Sequence, residues 1–292
     1  MEVSFLKSIN NASKIFDKKI SNLKNIAIFF DENVDGFCSA KVLSSILDKK
    51  KKEYEIFVKR REENIDEKIL KYDFVIFLDV TLNKNELKVI KKLKDAMIID
   101  DQKPSSITFK KFLVLNSYLL KTFLPSSSIC YFFSQHIYST NETIFFLMLG
   151  TKYDNFSVKS LEKKFFHFFS EKDLKYINAL QYFIRKSKEK NILALLEKDV
   201  EKVKRKIKPN IKKVEKLSKK RKIEKGFTRI VANYIFEKEK KPVAIFSKDK
   251  TELTAISENI SISYNPNWKF CEFFNKGVEI LASKKELEKV KI

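Results

Sequence analysis

Glycine, cysteine and histidine are scarce in this chain of 292 residues, which has 4 glycines, 3 cysteines and 2 histidines. The glycines cannot form a G-x-G-x-x-G dinucleotide turn, and no G-x-x-x-x-G-K-[ST] phosphate loop occurs. The cysteines and histidines lie too far apart for a local zinc site or disulfide framework, and a reducing, cytoplasmic location is expected. These residues are Cys38, Cys130, Cys271, His136 and His167.

Long apolar runs are also lacking. The longest uncharged stretch, Thr122 to Asn141, contains Pro125, five serines and His136. It is too polar for the roughly 20 apolar residues that a membrane-spanning helix needs. The N-terminal segment Met1 to Lys24 mixes charged and apolar residues and lacks the continuous apolar run of a signal peptide. We therefore expect a soluble protein with no membrane partner.

Positive charge is abundant, with 60 Lys and Arg against 38 Asp and Glu and a formal net charge of +22. Thirteen Lys/Arg and two Glu fall between Lys202 and Lys225, which predicts a basic linker at 201–225. Such a cluster attracts phosphate backbones, so single-stranded DNA or RNA is the expected ligand, although a lysine-rich proteome or adaptation to heat also explains bulk charge. The candidate nucleic-acid contacts are Lys204, Arg205, Lys212, Lys213, Lys219, Lys220 and Arg221.

Short apolar runs alternate with helical patterns from Asn25 onward. Ile26 to Phe30, Phe74 to Val80 and Ala96 to Ile99 have the composition of buried strands, and amphipathic segments separate them. This alternation predicts an α/β fold with a mostly parallel sheet flanked by helices. In such sheets ligands bind beyond the carboxyl ends of the strands, so those ends are the candidate site.

The same pattern predicts two domains. The larger one covers residues 1–200, with an α/β part at about 20–120 and a largely helical part at about 121–200. The basic linker follows, and residues 226–292 are predicted to form a smaller α/β domain.

Acidic side chains follow each of the three buried strands. Carboxylates brought together repel one another unless a cation compensates, so a hard metal ion such as Mg²⁺ or Mn²⁺ is the natural counter-charge. A two-metal phosphodiester site would use carboxylates in this way. Each residue taken singly is better explained as a turn or helix cap. The residues at the three strand ends are Asp31, Asn33 and Asp35, then Asp79, then Asp100, Asp101 and Gln102.

Four segments match the motifs of a known family in their order along the chain. Phe30 to Leu43, FDENVDGFCSAKVL, resembles the H/D-x-D-x-D-G motif of the DHH phosphoesterases, and Leu78-Asp79 is similar to their second motif. Ile98 to Gln102, IIDDQ, falls where the family has D-H-H, and Leu149 to Asp154, LGTKYD, resembles L-G-T-x-x-D. The RecJ-like branch fits best and includes archaeal proteins that associate with GINS.

The C-terminal part resembles the DHHA1 domain that accompanies this branch. Gly226 to Lys238, GFTRIVANYIFEK, and the following Lys241 to Ile245, KPVAI, are similar to its G-x-x-x-I-V-A-x-x-L-x-E…R-P-V segment. The G-G-H-x-x-A-A-G loop of that domain is not recognisable in Asn265 to Gly277. The resemblance covers roughly residues 10–280 and implies a DHH domain followed by a DHHA1-like domain.

The family's histidine pair supplies a metal ligand and a group that contacts the scissile phosphate. Asp101 and Gln102 stand at these positions, and Gln102 can neither carry positive charge nor transfer a proton. The middle aspartate of the first motif is Asn33, a poorer metal ligand. By resemblance, the ligands of Mn²⁺ or Mg²⁺ are Asp31, Asn33, Asp35, Asp79, Asp101 and Asp154, and the catalytic group is Asp100, Asp101 and Gln102.

These departures favour binding over turnover. The resemblance implies a RecJ-like protein of DNA replication or repair that binds single-stranded nucleic acid. The expected protein partners are helicase-associated, such as GINS or MCM components. Nuclease activity and metal binding are expected to be weakened or lost. An active Mn²⁺- or Mg²⁺-dependent single-strand-specific exonuclease is the first alternative. A phosphodiesterase of short oligonucleotides or cyclic dinucleotides is the second, which the missing G-G-H loop and the basic linker disfavour.

Overall fold

The computed structural model describes most of the chain in two compact units. The described residues are 3–60, 63–102, 112–119, 124–135, 141–153, 173–220, 222–239, 241–257, 270–274 and 277–283, together with 287 and 290. Unit 1 comprises Met1–Ser170 and Lys188–Val200, and unit 2 comprises Glu171–Ser187 and Glu201–Ile292.

Unit 1 contains a parallel sheet of five strands. Its strands are β1 (Ile26–Asp31), β2 (Tyr54–Lys59), β3 (Phe74–Leu78), β4 (Ala96–Asp100) and β5 (Leu113–Asn116). They lie in the order β2-β1-β3-β4-β5. Every residue of β1, β3 and β4 is buried, as the continuous apolar runs predict for strands covered on both faces. The predicted α/β fold with a mostly parallel sheet is therefore confirmed.

Helices make up most of the remaining described structure. They are α1 (Val3–Ser21), α2 (Val34–Lys49), α3 (Lys84–Ile90), α4 (Ser126–Gln135), α5 (Asn141–Tyr153), α6 (Lys175–Lys186), α7 (Glu189–Leu196), α8 (Val200–Ile207), α9 (Pro209–Ser218) and α10 (Thr228–Glu239). A short 3₁₀-helix, Glu67–Lys71, precedes β3. No helix among the described residues is long and apolar enough to cross a membrane.

The helices of unit 1 cover the sheet on both faces. Helices α1, α2, α4 and α5 pack together on one face, where the Phe16 ring lies 5.1 Å from the Phe133 ring and 6.1 Å from the Phe74 ring. On the other face, Phe29 and Phe77 pack with residues of α3 and the 3₁₀-helix. This packing holds the carboxyl ends of the central strands in fixed positions.

Unit 2 contains a second, antiparallel sheet. Its strands β6 (Val243–Phe246), β7 (Glu252–Ile256), β8 (Phe270–Phe274) and β9 (Gly277–Leu281) lie in the order β6-β7-β9-β8. Helix α10 packs against β6 and β7, and α9 packs against α6 and α10. Strand alternation in the sequence indicates a small unit of helices and strands, but it does not determine the direction in which neighbouring strands run.

The basic segment, predicted as the linker 201–225, differs from that expectation. Its described residues include helices α8 and α9, which belong to unit 2. Val203, Ile207, Val214 and Leu217 are buried because they recur at intervals of three, four and seven residues and so share one face of their helices. High average charge conceals this apolar stripe, and the segment is a packed part of unit 2.

Candidate metal centre and basic face

The carboxyl ends of β1, β3 and β4 lie side by side because these strands are parallel neighbours. Asp31 ends β1, Asp79 follows β3, and Asp100 ends β4. All three side chains are at least nine-tenths buried. The topology therefore brings together the acidic residues that the sequence distributes over about 70 positions.

Asp79, Asp100 and Asp101 form the tightest group of acidic side chains at this edge. One carboxylate oxygen from each lies within 4.8 Å of the others. Asp79 has a φ of 59°, a left-handed conformation that is uncommon outside glycine and is tolerated best by Asn and Asp. Asp100 accepts hydrogen bonds from the backbone N–H groups of Asp101, at 2.9 Å, and Gln102, at 3.3 Å, and these bonds orient its carboxylate.

Asn33 lies between two of the strand ends and is the N-cap of α2. Its Oδ1 accepts the Gly36 N–H at 2.7 Å, and its Nδ2 donates to Asp31 and to Asp79, each at 2.7 Å. The side chain therefore presents amide hydrogens to the two carboxylates. The resemblance predicted an oxygen ligand at this position, whereas the structure has a hydrogen-bond donor.

Asp35, a metal ligand by the motif resemblance, has backbone N–H groups as partners in the structure. Its carboxylate is fully buried and accepts the backbone N–H groups of Ser126, at 2.8 Å, and Ser127, at 3.1 Å. Asp35 thus caps the N-terminus of α4, where negative charge is favourable. The Ser126 hydroxyl in turn donates to Asp79 Oδ1 at 3.2 Å, so α4 is tied to the acidic cluster.

Gly150, in α5, packs directly against this cap. A Cβ at this position would lie 2.7 Å from Asp35 Oδ1 and would also collide with the Ser127 side chain. We expect Gly150→Ala to lower the free energy of unfolding by about 1–3 kcal/mol, because the cap must move. Urea denaturation measures this loss of stability, and Gly226→Ala serves as the comparison. At Gly226 the strain comes from a φ of 84°, because no atom lies within 4 Å of the added Cβ. An unchanged stability of Gly150→Ala would contradict the close packing.

Cys130 lies in α4 near the same carboxylate. Burial raises the pKa of its thiol, and the negative charge of Asp35 raises the pKa further. The thiol therefore remains neutral and is a poor nucleophile. Cys38 is likewise buried and free.

Ser126 and Thr81 are the site residues that the sequence patterns did not identify. The Thr81 hydroxyl donates to Gln102 Oε1 at 3.0 Å, so the Gln102 side chain is engaged by a neutral partner. The run Pro125 to Ser128 directly before an apolar helical segment is a helix-start signal that would have pointed to Ser126. Nothing in the local sequence connects Ser126 with Asp79.

Two of the predicted site residues, Asp154 and Arg221, lie outside the described residues. The remaining predicted nucleic-acid contacts are all on or directly after α8 and α9. Lys204 is half-buried and pairs with Asp173 at 2.9 Å, so its charge is partly satisfied within unit 2. The other five are exposed and form what we call the basic face: Arg205, Lys212, Lys213, Lys219 and Lys220.

No family model and no curated protein matches the sequence. Solved structures do resemble the fold. An exonuclease RecJ bound to manganese has a TM-score of 0.65 and 13% identity, with 96% of this chain and 91% of that chain covered. RecJ from Thermus thermophilus in complex with Mn²⁺ has the same TM-score and identity, with 97% of this chain and 53% of that chain covered. The DHH domain of a member of a family of ribosomal proteins has a TM-score of 0.67 and 11% identity, with 99% of this chain and 92% of that chain covered.

The chain has a RecJ-like fold. In this RecJ-like fold, the acidic cluster of Asp79, Asp100 and Asp101 suits a divalent cation. Oxygen ligands about 2.1 Å from a Mg²⁺ ion lie roughly 3–4 Å apart, which agrees with carboxylate oxygens grouped within 4.8 Å. Asn33 turns its Nδ2, and not its Oδ1, toward Asp31 and Asp79.

Proposed function

We propose that this protein binds single-stranded nucleic acid in DNA replication or repair and that its nuclease activity is weakened or lost. The observation that carries the proposal is the Asn33 amide between Asp31 and Asp79. A site built for phosphodiester hydrolysis needs cations at such carboxylates to stabilise the charge on the phosphate. The Asn33 amide hydrogens compensate the negative charge of the two carboxylates, but unlike a metal ion they offer no coordination position to a substrate phosphate.

Gln102 supports the same conclusion. Its amide cannot donate or accept a proton as a general acid or base at neutral pH, and its oxygen is already bonded to Thr81. A divalent cation held by Asp79, Asp100 and Asp101 would supply positive charge for a phosphate oxygen. Asp100, oriented by the N–H groups of Asp101 and Gln102, would help to hold that cation.

The basic face supports the binding role. Its five side chains are exposed on or directly after α8 and α9, while the apolar stripe of these helices is buried. Exposed Lys and Arg attract phosphate backbones of any sequence. The motif resemblance is the support for helicase-associated partners such as GINS or MCM components. The proposed location is the cytoplasm, since the buried free thiols of Cys38 and Cys130 suit a reducing compartment.

An active single-strand exonuclease is the second candidate. The grouping of Asp79, Asp100 and Asp101 within 4.8 Å favours it, because a cation bound there could still activate a phosphodiester.

Degradation of an end-labelled single-stranded DNA with Mn²⁺ or Mg²⁺ separates the two candidates, with binding measured on the same samples. We expect salt-sensitive binding and no cleavage by the wild-type protein. Asp79→Asn is the control, since Asn also tolerates the left-handed backbone at this position. Cleavage by the wild type that Asp79→Asn abolishes would establish the exonuclease and overturn the binding proposal.

A further inference from the structure

Asn33 is held in one orientation by its surroundings. Its side chain is buried, and its Oδ1 accepts the Gly36 N–H at 2.7 Å, which assigns the nitrogen to the opposite side. Its own backbone N–H donates to the Asp31 carbonyl at 2.7 Å, and its carbonyl accepts the Phe37 N–H at 3.0 Å. Both the main chain and the side chain of this residue are therefore restrained.

The turn around Asn33 is also too tight to rearrange easily. A Cβ on Gly36 would lie 2.6 Å from the Asp31 carbonyl oxygen and 2.9 Å from the Asp31 nitrogen. The first turn of α2 thus packs directly on the end of β1. This close approach leaves the turn that carries Asn33 little room to move.

Two buried carboxylates that share one neighbour need a positive or hydrogen-donating group between them. The Asn33 Nδ2 provides two N–H donors, one for Asp31 and one for Asp79. The Ser126 hydroxyl gives Asp79 a second neutral donor. These donors are neutral hydrogen-bond partners that hold the Asp31 side of the site together.

We infer that the Asn33 amide replaces a cation between Asp31 and Asp79, so that the chain binds one divalent cation fewer than it would with aspartate at position 33. Aspartate would keep an oxygen for the Gly36 N–H, but it would remove both N–H donors and add a third carboxylate. Three carboxylates on the Asp31 side of the site would then favour a bound cation. The inference goes beyond the proposed function, because it concerns metal binding by the free protein and can be tested without nucleic acid.

The test is Mn²⁺ binding by calorimetry, together with thermal unfolding with and without Mn²⁺, for the wild type and Asn33→Asp. We expect Asn33→Asp to bind one more Mn²⁺ per chain and to melt at a lower temperature than the wild type without metal. At a Mn²⁺ concentration about 100 times the dissociation constant, the additional site should raise its melting temperature by roughly 5–10 °C more than that of the wild type.

Two further variants separate a cation site from a structural defect. Asn33→Ser retains an oxygen for the cap but loses the amide donors, so it should be destabilised without gaining a Mn²⁺ site. Asn83→Asp makes the same substitution at the N-cap of α3, where the amide donates to Asn64 Oδ1 at 3.0 Å and not to a carboxylate. It should leave the Mn²⁺ stoichiometry unchanged.

Equal stoichiometry for the wild type and Asn33→Asp would overturn the inference. So would a Mn²⁺-dependent rise in melting temperature for Asn33→Asp that is no larger than the rise for Asn83→Asp. If Asn33→Asp unfolds without metal, refolding on addition of Mn²⁺, followed by circular dichroism, gives the same answer. Failure of the single-strand binding experiment would leave this result unaffected, since no nucleic acid is present.

Discussion

Raising the salt concentration from about 50 to about 200 mM is expected to weaken the binding of single-stranded DNA roughly 100-fold. The five exposed cations of the basic face would each neutralise one phosphate, and single strands lose about 0.7 units of logarithmic slope for each phosphate neutralised. The expected slope of log affinity against log salt is therefore about −3.5. Fluorescence anisotropy of a labelled oligonucleotide, repeated over a salt series, measures this slope.

Removal of two of these charges tests whether the basic face is responsible. Lys212→Gln with Lys219→Gln should reduce the slope to about −2 and weaken binding to a similar degree for all sequences. Lys84→Gln with Lys88→Gln, on the exposed side of α3 in unit 1, removes the same charge from the chain. If the α3 pair reduces the slope as much, net charge and not the basic face governs binding.

The second large effect is expected for Asp35→Ala, which should lower the free energy of unfolding by about 3–4 kcal/mol. The substitution leaves the buried N–H groups of Ser126 and Ser127 without their carboxylate partner and removes negative charge from the N-terminus of α4. Proteins of this size have net stabilities of only about 5–15 kcal/mol, so the loss is substantial. Urea denaturation followed by circular dichroism measures it.

Asp66→Ala is the matched control for this prediction. Asp66 caps the 3₁₀-helix through the Lys68 N–H at 2.8 Å, but its side chain is 59% exposed. Water can replace that hydrogen bond, so the expected loss is about 0.5–1 kcal/mol. If Asp35→Ala instead leaves stability intact and abolishes stabilisation by Mn²⁺, Asp35 is the metal ligand that the motif predicted.

The predicted strand ends agree with the structure for a local reason. Continuous apolar runs such as Phe74 to Leu78 are buried on both faces of a parallel sheet, and the first polar residue after each run marks the carboxyl end. Because β3 and β4 are parallel neighbours and end at the same edge, Asp79 and Asp100 come together in the sheet.

Average composition is a poorer guide than position for two other features of the chain. The basic segment has enough charge to suggest a linker, yet Val214 and Leu217 are buried within unit 2 because they share one helical face. The antiparallel pairing of β6 to β9 depends on contacts between strands, and alternation along the chain does not encode it.

The types of the central elements, the acidic strand ends and the basic charge follow from local order along the chain, because periodicity and turn chemistry act over a few residues. The partner of each acidic side chain does not follow from local order. Asn33 meets Asp79 across 46 positions, and Asp35 meets Ser126 across 91 positions. Only the packing of α2 and α4 against the sheet that contains β3 determines that one amide joins two carboxylates and that one carboxylate caps a helix. Such contacts form after distant segments have been brought together.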